Sequence, residues 1–318
     1  MPADKFSRMP PEDQKSLLVA IFERRLQHAK NLHYELDVFQ RAHEDLNGQP
    51  GNPLARDAVG LRFRYERWQL GNSYRIDTTK FKPPGYSEPC AWISSCFNDK
   101  QGIRRSTLRD ESRADGYGRI DTTHDPELAD NVYRSWLDGV DLQRQDYLFR
   151  YILSRKSEFK LESPVEQGRV QLTIGYQPHW ADKPGGKRVF LLDPERGFLP
   201  VQGESRCDAA AEGKGKPRWH MERFTVAESK LAGDVWMPTK MRMQIAASTR
   251  IGPLIMVYDM TISRIEHNTV RPTDLEVAFR KGMIVVDAVK GVHYIADANG
   301  APTETPKPLI EPDKADSP

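Results

Sequence analysis

One short hairpin signature constrains the fold of this chain more than any other stretch. Between Arg188 and Glu204, two apolar runs flank the segment D-P-E-R-G, in which proline presets φ and glycine supplies the positive φ that closes a tight turn. The segment therefore predicts an antiparallel hairpin. Further strand patterns follow it without an intervening helical pattern, so we expect the hairpin to belong to a large antiparallel sheet whose inner face must be covered or must hold something.

An amphipathic helix is predicted directly after Pro10 and Pro11. Apolar residues recur there at helical spacing, with acidic residues in the first turn and basic residues late: Leu17, Leu18, Ile21, Phe22 and Leu26. From Leu32 the apolar spacing changes to two, which predicts the first strand. A helix of this kind, placed before a sheet, is expected to pack on it.

The remaining pattern predicts a β-rich chain with little more helix. A meander of hairpins is expected over residues 61–108, a second short helix from Pro126 to Gly139, and a strand series over residues 159–295. Residues 1–11 are predicted to be a flexible lead, and residues 297–318, rich in proline and charge, a disordered tail. This leaves a single domain over residues 12–296 within an α+β class.

Composition excludes several classes of protein. The chain has 318 residues, 47 basic against 45 acidic side chains and a formal net charge of +2, so no nucleic-acid partner is expected. No apolar run is long enough for a membrane-spanning helix, and the N-terminus lacks the apolar region of a signal peptide. We expect a periplasmic or exported location if a signal has been removed, and a cytoplasmic one otherwise. The three cysteines, Cys90, Cys96 and Cys207, have spacings that fit neither a zinc site nor a disulfide framework.

The best acid/base group in the sequence consists of Asp121, His124 and Asp125. A histidine beside carboxylates can titrate near neutral pH, but Asp125 followed by Pro126 is also typical of a helix N-terminus, and we favour that interpretation. The histidines show no metal-ligand spacing, and no nucleotide-binding or nucleophile motif is present. We therefore expect no catalytic residues, no metal, no cofactor and no enzyme activity, with a hydrolase as the weaker alternative.

Four segments resemble the LolA-like outer-membrane lipoprotein-sorting superfamily. They are Leu191–Val201, Asp234–Lys240, Ile265–Thr269 and Asp274–Asp287, and with the order of helices and strands they extend the resemblance over residues 12–296. It implies a strongly curved antiparallel sheet forming an incomplete barrel, with an N-terminal helix and a short helical insert packed on its concave side. It also implies a cell-envelope protein with an apolar cavity for a lipid or lipoprotein acyl chain.

The candidate binding face combines the first helix with alternating residues of the strands. Its expected members are Leu18, Ile21, Phe22, Leu172, Ile174, Tyr176, Met241, Met243 and Ile245, and methionine adapts well to ligands of irregular shape. One alternative is that the helix residues fill this space completely and the face is ordinary core. Another is an envelope scaffold whose open strand edge accepts a protein partner. Arg104, Arg105, Arg109 and Arg113 are interpreted as a solvated strand end, because acidic residues lie among them.

Overall fold

The computed structural model describes residues 1–42, 60–83, 85, 87–110, 113–122, 159–165, 168–176, 186–209, 218–249 and 252–309. Helix α1 spans Ala3–Ser7 and helix α2 spans Pro11–Ala29. The amphipathic helix predicted after Pro10 is therefore confirmed. The predicted insert from Pro126 to Gly139 lies outside the described residues.

The described strands have the following bounds: β1 Asn31–Ala42, β2 Leu61–Leu70, β3 Ser73–Phe81, β4 Pro89–Asn98, β5 Ile103–Asp110, β6 Arg113–Thr122, β7 Phe159–Val165, β8 Arg169–Tyr176, β9 Gly186–Asp193, β10 Leu199–Ala209, β11 Arg218–Ala232, β12 Val235–Thr249, β13 Gly252–His267, β14 Ile284–Asp287, β15 Val292–Ile295 and β16 Lys307–Pro308. All of them belong to one hydrogen-bonded sheet whose strand order does not close on itself. The predicted α+β class and unclosed antiparallel sheet are confirmed.

The contacts divide the chain into two compact units, where the sequence predicted one domain. The first comprises Met1–Ala29, Leu36–Arg62 and Arg134–His267, and the second Lys30–Glu35, Phe63–Tyr133 and Asn268–Pro318. In the first unit the strand order is β13-β12-β11-β10-β9-β8-β7, with antiparallel neighbours throughout. Strands β1 and β2 are divided between the units.

The second unit contains one parallel pair that the sequence did not predict. Its order runs β16-β15-β14-β6-β5-β4-β3, and β14 pairs with β6 in the parallel sense. Parallel neighbours need a long connection rather than a tight turn. Strand β14 meets that condition because the whole segment from β7 to β13 separates it from β6 in sequence.

The predicted hairpin joins β9 to β10. The carboxylate of Asp193 accepts hydrogen bonds from the backbone N–H groups of Glu195 (3.0 Å) and Arg196 (3.2 Å), which caps a single 3-10 turn. Gly197 follows with φ of 62°, the left-handed conformation that its position in the turn requires. Strands β9 and β10 then pair in the antiparallel sense, so the prediction is confirmed.

The structure differs from the sequence pattern at both ends of the chain. The predicted flexible lead contains α1, in which Phe6 is fully buried, and the predicted disordered tail contains β16. Leu275, Val277 and Phe279 alternate as in a strand. The structure instead has a 3-10 turn over Pro272–Leu275, and residues 276–280 form no strand. Val277 and Phe279 are nevertheless buried. The alternation therefore indicates which side chains face inward, but it does not indicate pairing with a neighbouring strand.

Candidate functional site

Helix α2 packs on the apolar face of β8 and β9 in the first unit. Leu18 and Phe22 lie four residues apart, hence on one side of the helix, and are 0% and 1% exposed. They form one buried cluster with Leu172, which is 0% exposed, and with residues from α1, β8, β9 and the turn after β9: Phe6, Val170, Phe190, Leu192 and Phe198. Ile21 packs against this cluster and is partly buried. The helix therefore covers the β8–β9 end of the face.

The predicted methionine-rich strand is β12. Met241, Met243 and Ile245 are all buried, and they lie opposite Met260, Tyr258 and Met256 of β13. Directly opposite residues in a sheet share a face. The alternation on β12 therefore marks the buried side of that strand, but it does not specify which residues of β13 lie opposite.

Strand register brings the predicted residues of β8 and β12 into a single transverse row. Leu172 lies opposite Phe190, Phe190 opposite Gly203, Gly203 opposite Phe224, and Phe224 opposite Met243, which in turn lies opposite Tyr258. Gly203 leaves room for a ring, because a Cβ atom there would lie 2.2 Å from Cε1 of Phe224. At about 4.8 Å per strand spacing, these six strands give an apolar row roughly 24 Å long.

Ile174 and Tyr176 complete the candidate set on β8. Alternation along the strand gives them the same parity as Leu172. Their side chains lie outside the described residues. In register, Ile174 pairs with Arg188 of β9, so the next row along the strand includes a charged residue.

A polar cluster holds the C-terminal end of α2. Arg24 forms a salt bridge with Asp234, which lies in the turn between β11 and β12. His28 Nδ1 lies 3.3 Å from the Asp234 carboxylate, and the His28 ring stacks on His267, the last residue of β13. The His28 side chain is 3% exposed, and within the described part of the chain its Nε2 has no hydrogen-bond partner. The sequence offered no signal for this cluster because its members come from three separate elements.

The charge state of His28 follows from this environment. Burial lowers the pKa of the His28 imidazole, and the nearby His267 and Arg25 lower it further. Asp234 acts in the opposite direction but does not reverse the shift. The imidazole is therefore neutral near pH 7, and a proton on Nε2 would be buried without an acceptor.

The proposed acid/base group is divided by the structure. Asp121 accepts hydrogen bonds from Arg104 (2.7 Å) and Arg119 (2.9 Å), whereas His124 and Asp125 lie outside the described residues. Burial by itself would raise the pKa of the Asp121 carboxyl, but the two guanidinium groups, Arg104 first, outweigh burial and lower it. Asp121 is thus an ion-pair carboxylate, and the interpretation of Arg104 as part of a solvated strand end was wrong.

The second unit contains two clefts beside the segment Glu276–Ala278. One has a volume of about 1020 Å³, and its lining includes Phe97, Ile103 and Tyr294. The other has a volume of about 480 Å³ and a mostly polar lining over β3, β4 and β5. No pattern in the sequence indicated either cleft, because their walls come from chain segments far apart in sequence.

Among the residues that the structure describes, no three His, Cys, Asp or Glu side chains are grouped so that they could hold a metal ion. Cys90 and Cys96 are free thiols, and the side chain of Cys207 lies outside the described residues. No helix in the described ranges is both long enough and apolar enough to cross a membrane.

Comparison with known proteins gives only distant similarities. No protein-family model and no curated protein matches the chain. A solved structure of a DUF1329 family protein from Desulfovibrio piger is 10% identical, with a TM-score of 0.42 over 84% of this chain and 99% of that one. A chain of the MucA/MucB complex of Pseudomonas aeruginosa is 11% identical, with a TM-score of 0.18 over 79% of this chain and 99% of that one. MucB in complex with MucA(peri) is 10% identical, with a TM-score of 0.19 over 79% of this chain and 100% of that one. The resemblance to the LolA-like superfamily therefore stays a prediction.

Proposed function

We propose that this chain is a non-enzymatic binding protein of the cell envelope that holds a lipid or lipoprotein acyl chain along the apolar row from Leu172 to Tyr258. The continuity of this row across six strands is the observation that carries the proposal. A row roughly 24 Å long exceeds half the thickness of a bilayer's hydrocarbon core, about 15 Å, so a lipid acyl chain fits within it. The ligand-binding residues are those of the candidate set, from Leu18 on α2 to Ile245 on β12.

In this proposal, α2 acts as a movable cover. Its middle is held by apolar packing of Leu18 and Phe22, which an acyl chain can replace with contacts of the same kind. Its C-terminal end is held by the polar cluster around Asp234. Because a buried polar atom without a partner costs free energy, the unpartnered Nε2 of His28 weakens that attachment. A ligand therefore enters when the C-terminal end of α2 separates from the β11–β12 turn.

The binding surface itself suits flexible hydrocarbon. Met241 of β12 lies opposite Met260 of β13, and Met243 is the next residue along the same face of β12. Met256 of β13 lies opposite Ile245. Unbranched thioether side chains change rotamer at little cost and fit ligands of irregular shape. We therefore expect the protein to bind acyl chains of many different lengths. The preferred acyl length is set by the length of the apolar row.

The test is native mass spectrometry of the protein purified from its own source, followed by titration with a fluorescent fatty acid. Met243→Trp places a bulky ring in the middle of the row and is expected to weaken saturable binding. Leu231→Trp is the matched control, since Leu231 is 53% exposed on β11 and its replacement is expected to leave binding unchanged. Retained acyl mass, or binding lost only in Met243→Trp, supports the carrier. If the purified protein carries no acyl mass and does not bind the fluorescent fatty acid, the carrier proposal is rejected. The alternative in which the helix residues fill the apolar face is then favoured.

A further inference from the structure

The smaller cleft of the second unit has a floor of aligned polar side chains. In register across β3, β4 and β5, Thr79, Trp92 and Arg109 form one row. Asp77, Ser94 and Thr107 form the next row on the same face. All six line the cleft of about 480 Å³. Three hydroxyl groups and one guanidinium group therefore face the same space.

Two acidic residues that line this cleft, Glu66 and Asp77, already have partners. Asp77 accepts two hydrogen bonds from Arg75, from Nε at 3.0 Å and from Nη2 at 2.6 Å. Glu66 lies 2.9 Å from Nε2 of His33. Arg75 also donates to the backbone carbonyl of Glu276 at 3.0 Å, which ties the segment above the cleft to its wall. Both carboxylates and Arg75 are thus committed to internal contacts.

Two other arginines that line the cleft are not paired with a carboxylate in the way that Arg75 is. Within the described residues, neither Arg109 nor Arg280 forms a salt bridge, although both line the cleft. The Arg109 guanidinium carbon lies 4.3 Å from the centroid of the Trp92 ring. Stacking on an indole restrains the guanidinium plane and leaves its N–H groups free to donate along their edges. Glu276 also lines the cleft, and among the described residues it is the one acidic residue there that is not already paired.

We infer that this cleft binds a phosphate group through Arg109 and Arg280, with the hydroxyls of Ser94 and Thr107 as further donors. Guanidinium groups match tetrahedral oxyanions because they present several N–H donors in a fixed plane. The two guanidinium groups exceed the single unpaired carboxylate by one positive charge, so a singly charged phosphate is balanced best. The phosphate is either free or part of a lipid headgroup, since both present the same oxygens. This site lies within the second unit and does not depend on the acyl-binding proposal.

The first arm of the test uses inorganic phosphate as the probe, titrated into the full chain by isothermal calorimetry at low salt. Arg109→Gln and Arg280→Gln are each expected to weaken phosphate binding roughly tenfold or more, because each removes a charge-assisted contact. Lys281→Gln is the matched control, since Lys281 is an exposed neighbour of Arg280 that does not line the cleft. Thermal unfolding of each variant verifies that it is folded.

The second arm uses sedimentation with phosphatidylglycerol vesicles and phosphatidylcholine vesicles to identify the source of the phosphate. Phosphate binding without vesicle binding indicates a free phosphate ligand. Vesicle binding that Arg109→Gln weakens and added phosphate competes away indicates a lipid headgroup. The inference is overturned if neither probe binds, or if the two arginine variants bind as tightly as Lys281→Gln does.

Discussion

The imidazole rings of His28 and His267 stack with their centroids 3.6 Å apart and their planes 15° from parallel. This contact joins α2 to the end of β13, and Asp234 lies at the Nδ1 side of His28. Two cationic rings cannot occupy such a stack favourably. The stack therefore favours the neutral form of His28, in agreement with its lowered pKa.

The first prediction concerns stability and pH. Because the pKa of His28 is lowered in the folded protein, the unfolded chain takes up a proton at a higher pH than the folded one does. The stability that neutral His28 provides is fully present above its ordinary pKa of 6.5 and is lost as the pH falls below that value towards the folded pKa. Urea unfolding at about pH 7.5 and about pH 5.5 is expected to show lower stability at the acidic pH.

The matched variants separate His28 from other groups. The variant His28→Gln lacks the titrating ring. Its stability to urea is therefore expected to fall less between about pH 7.5 and about pH 5.5 than that of the native chain. His293→Gln, on β15 in the second unit, is expected to keep the native pH dependence. An unchanged pH slope in His28→Gln would falsify the assignment to this ring.

The second prediction concerns the ion pair of Asp121. Its side chain is 13% exposed and is held by both Arg104 and Arg119, so Asp121→Asn leaves two guanidinium groups without their carboxylate. The free energy of unfolding is expected to fall by roughly 1.5–3 kcal/mol, the range for hydrogen bonds to charged groups. Chemical denaturation at neutral pH measures it.

The control for this ion pair is an exposed one. Glu228 and Lys240 form a salt bridge on the surface of β11 and β12, with both side chains more than half exposed. Glu228→Gln is expected to cost about 0–1 kcal/mol. Equal losses in the two variants would contradict the structural role assigned to Asp121.

The third prediction concerns Gly118 on β6. The Phe279 ring lies directly on this glycine, where a Cβ atom would come within 2.7 Å of Cδ1 of the ring. Gly118→Ala must displace Phe279 and is expected to cost roughly 1–3 kcal/mol, the usual effect of overpacking. Gly85→Ala serves as the control, because a Cβ there meets only Ser87 Oγ at 3.7 Å. A thermal melt that is the same for both variants would count against the packing of residues 276–283 on this strand.

The fourth prediction concerns the turn between β9 and β10. Asp193→Ala removes the carboxylate that accepts from two backbone N–H groups, so stability is expected to fall by roughly 0.5–2 kcal/mol, as for other lost caps. Glu195→Ala is a suitable control, since its exposed side chain takes no part in the cap. The prediction fails if denaturant midpoints of the two variants coincide.

Local features of the sequence were sufficient for the individual elements. The helical spacing of Leu18 and Phe22 predicted α2, the D-P-E-R-G segment predicted the turn at Gly197, and alternation on β12 identified the buried side of Met243. Each of these depends on contacts or backbone angles within a few residues, which is why a single sequence records them.

Tertiary structure decided which elements meet. Leu172 and Met243 share a row only because four strand pairings, two of them with an irregular register, bring them into line. The His28–His267 stack, the parallel pairing of β14 with β6 and the cleft at Arg109 depend equally on long-range hydrogen bonds and packing. A one-residue change of register moves every side chain of a strand to the other face, and the pattern of a single strand does not specify the register of its neighbours.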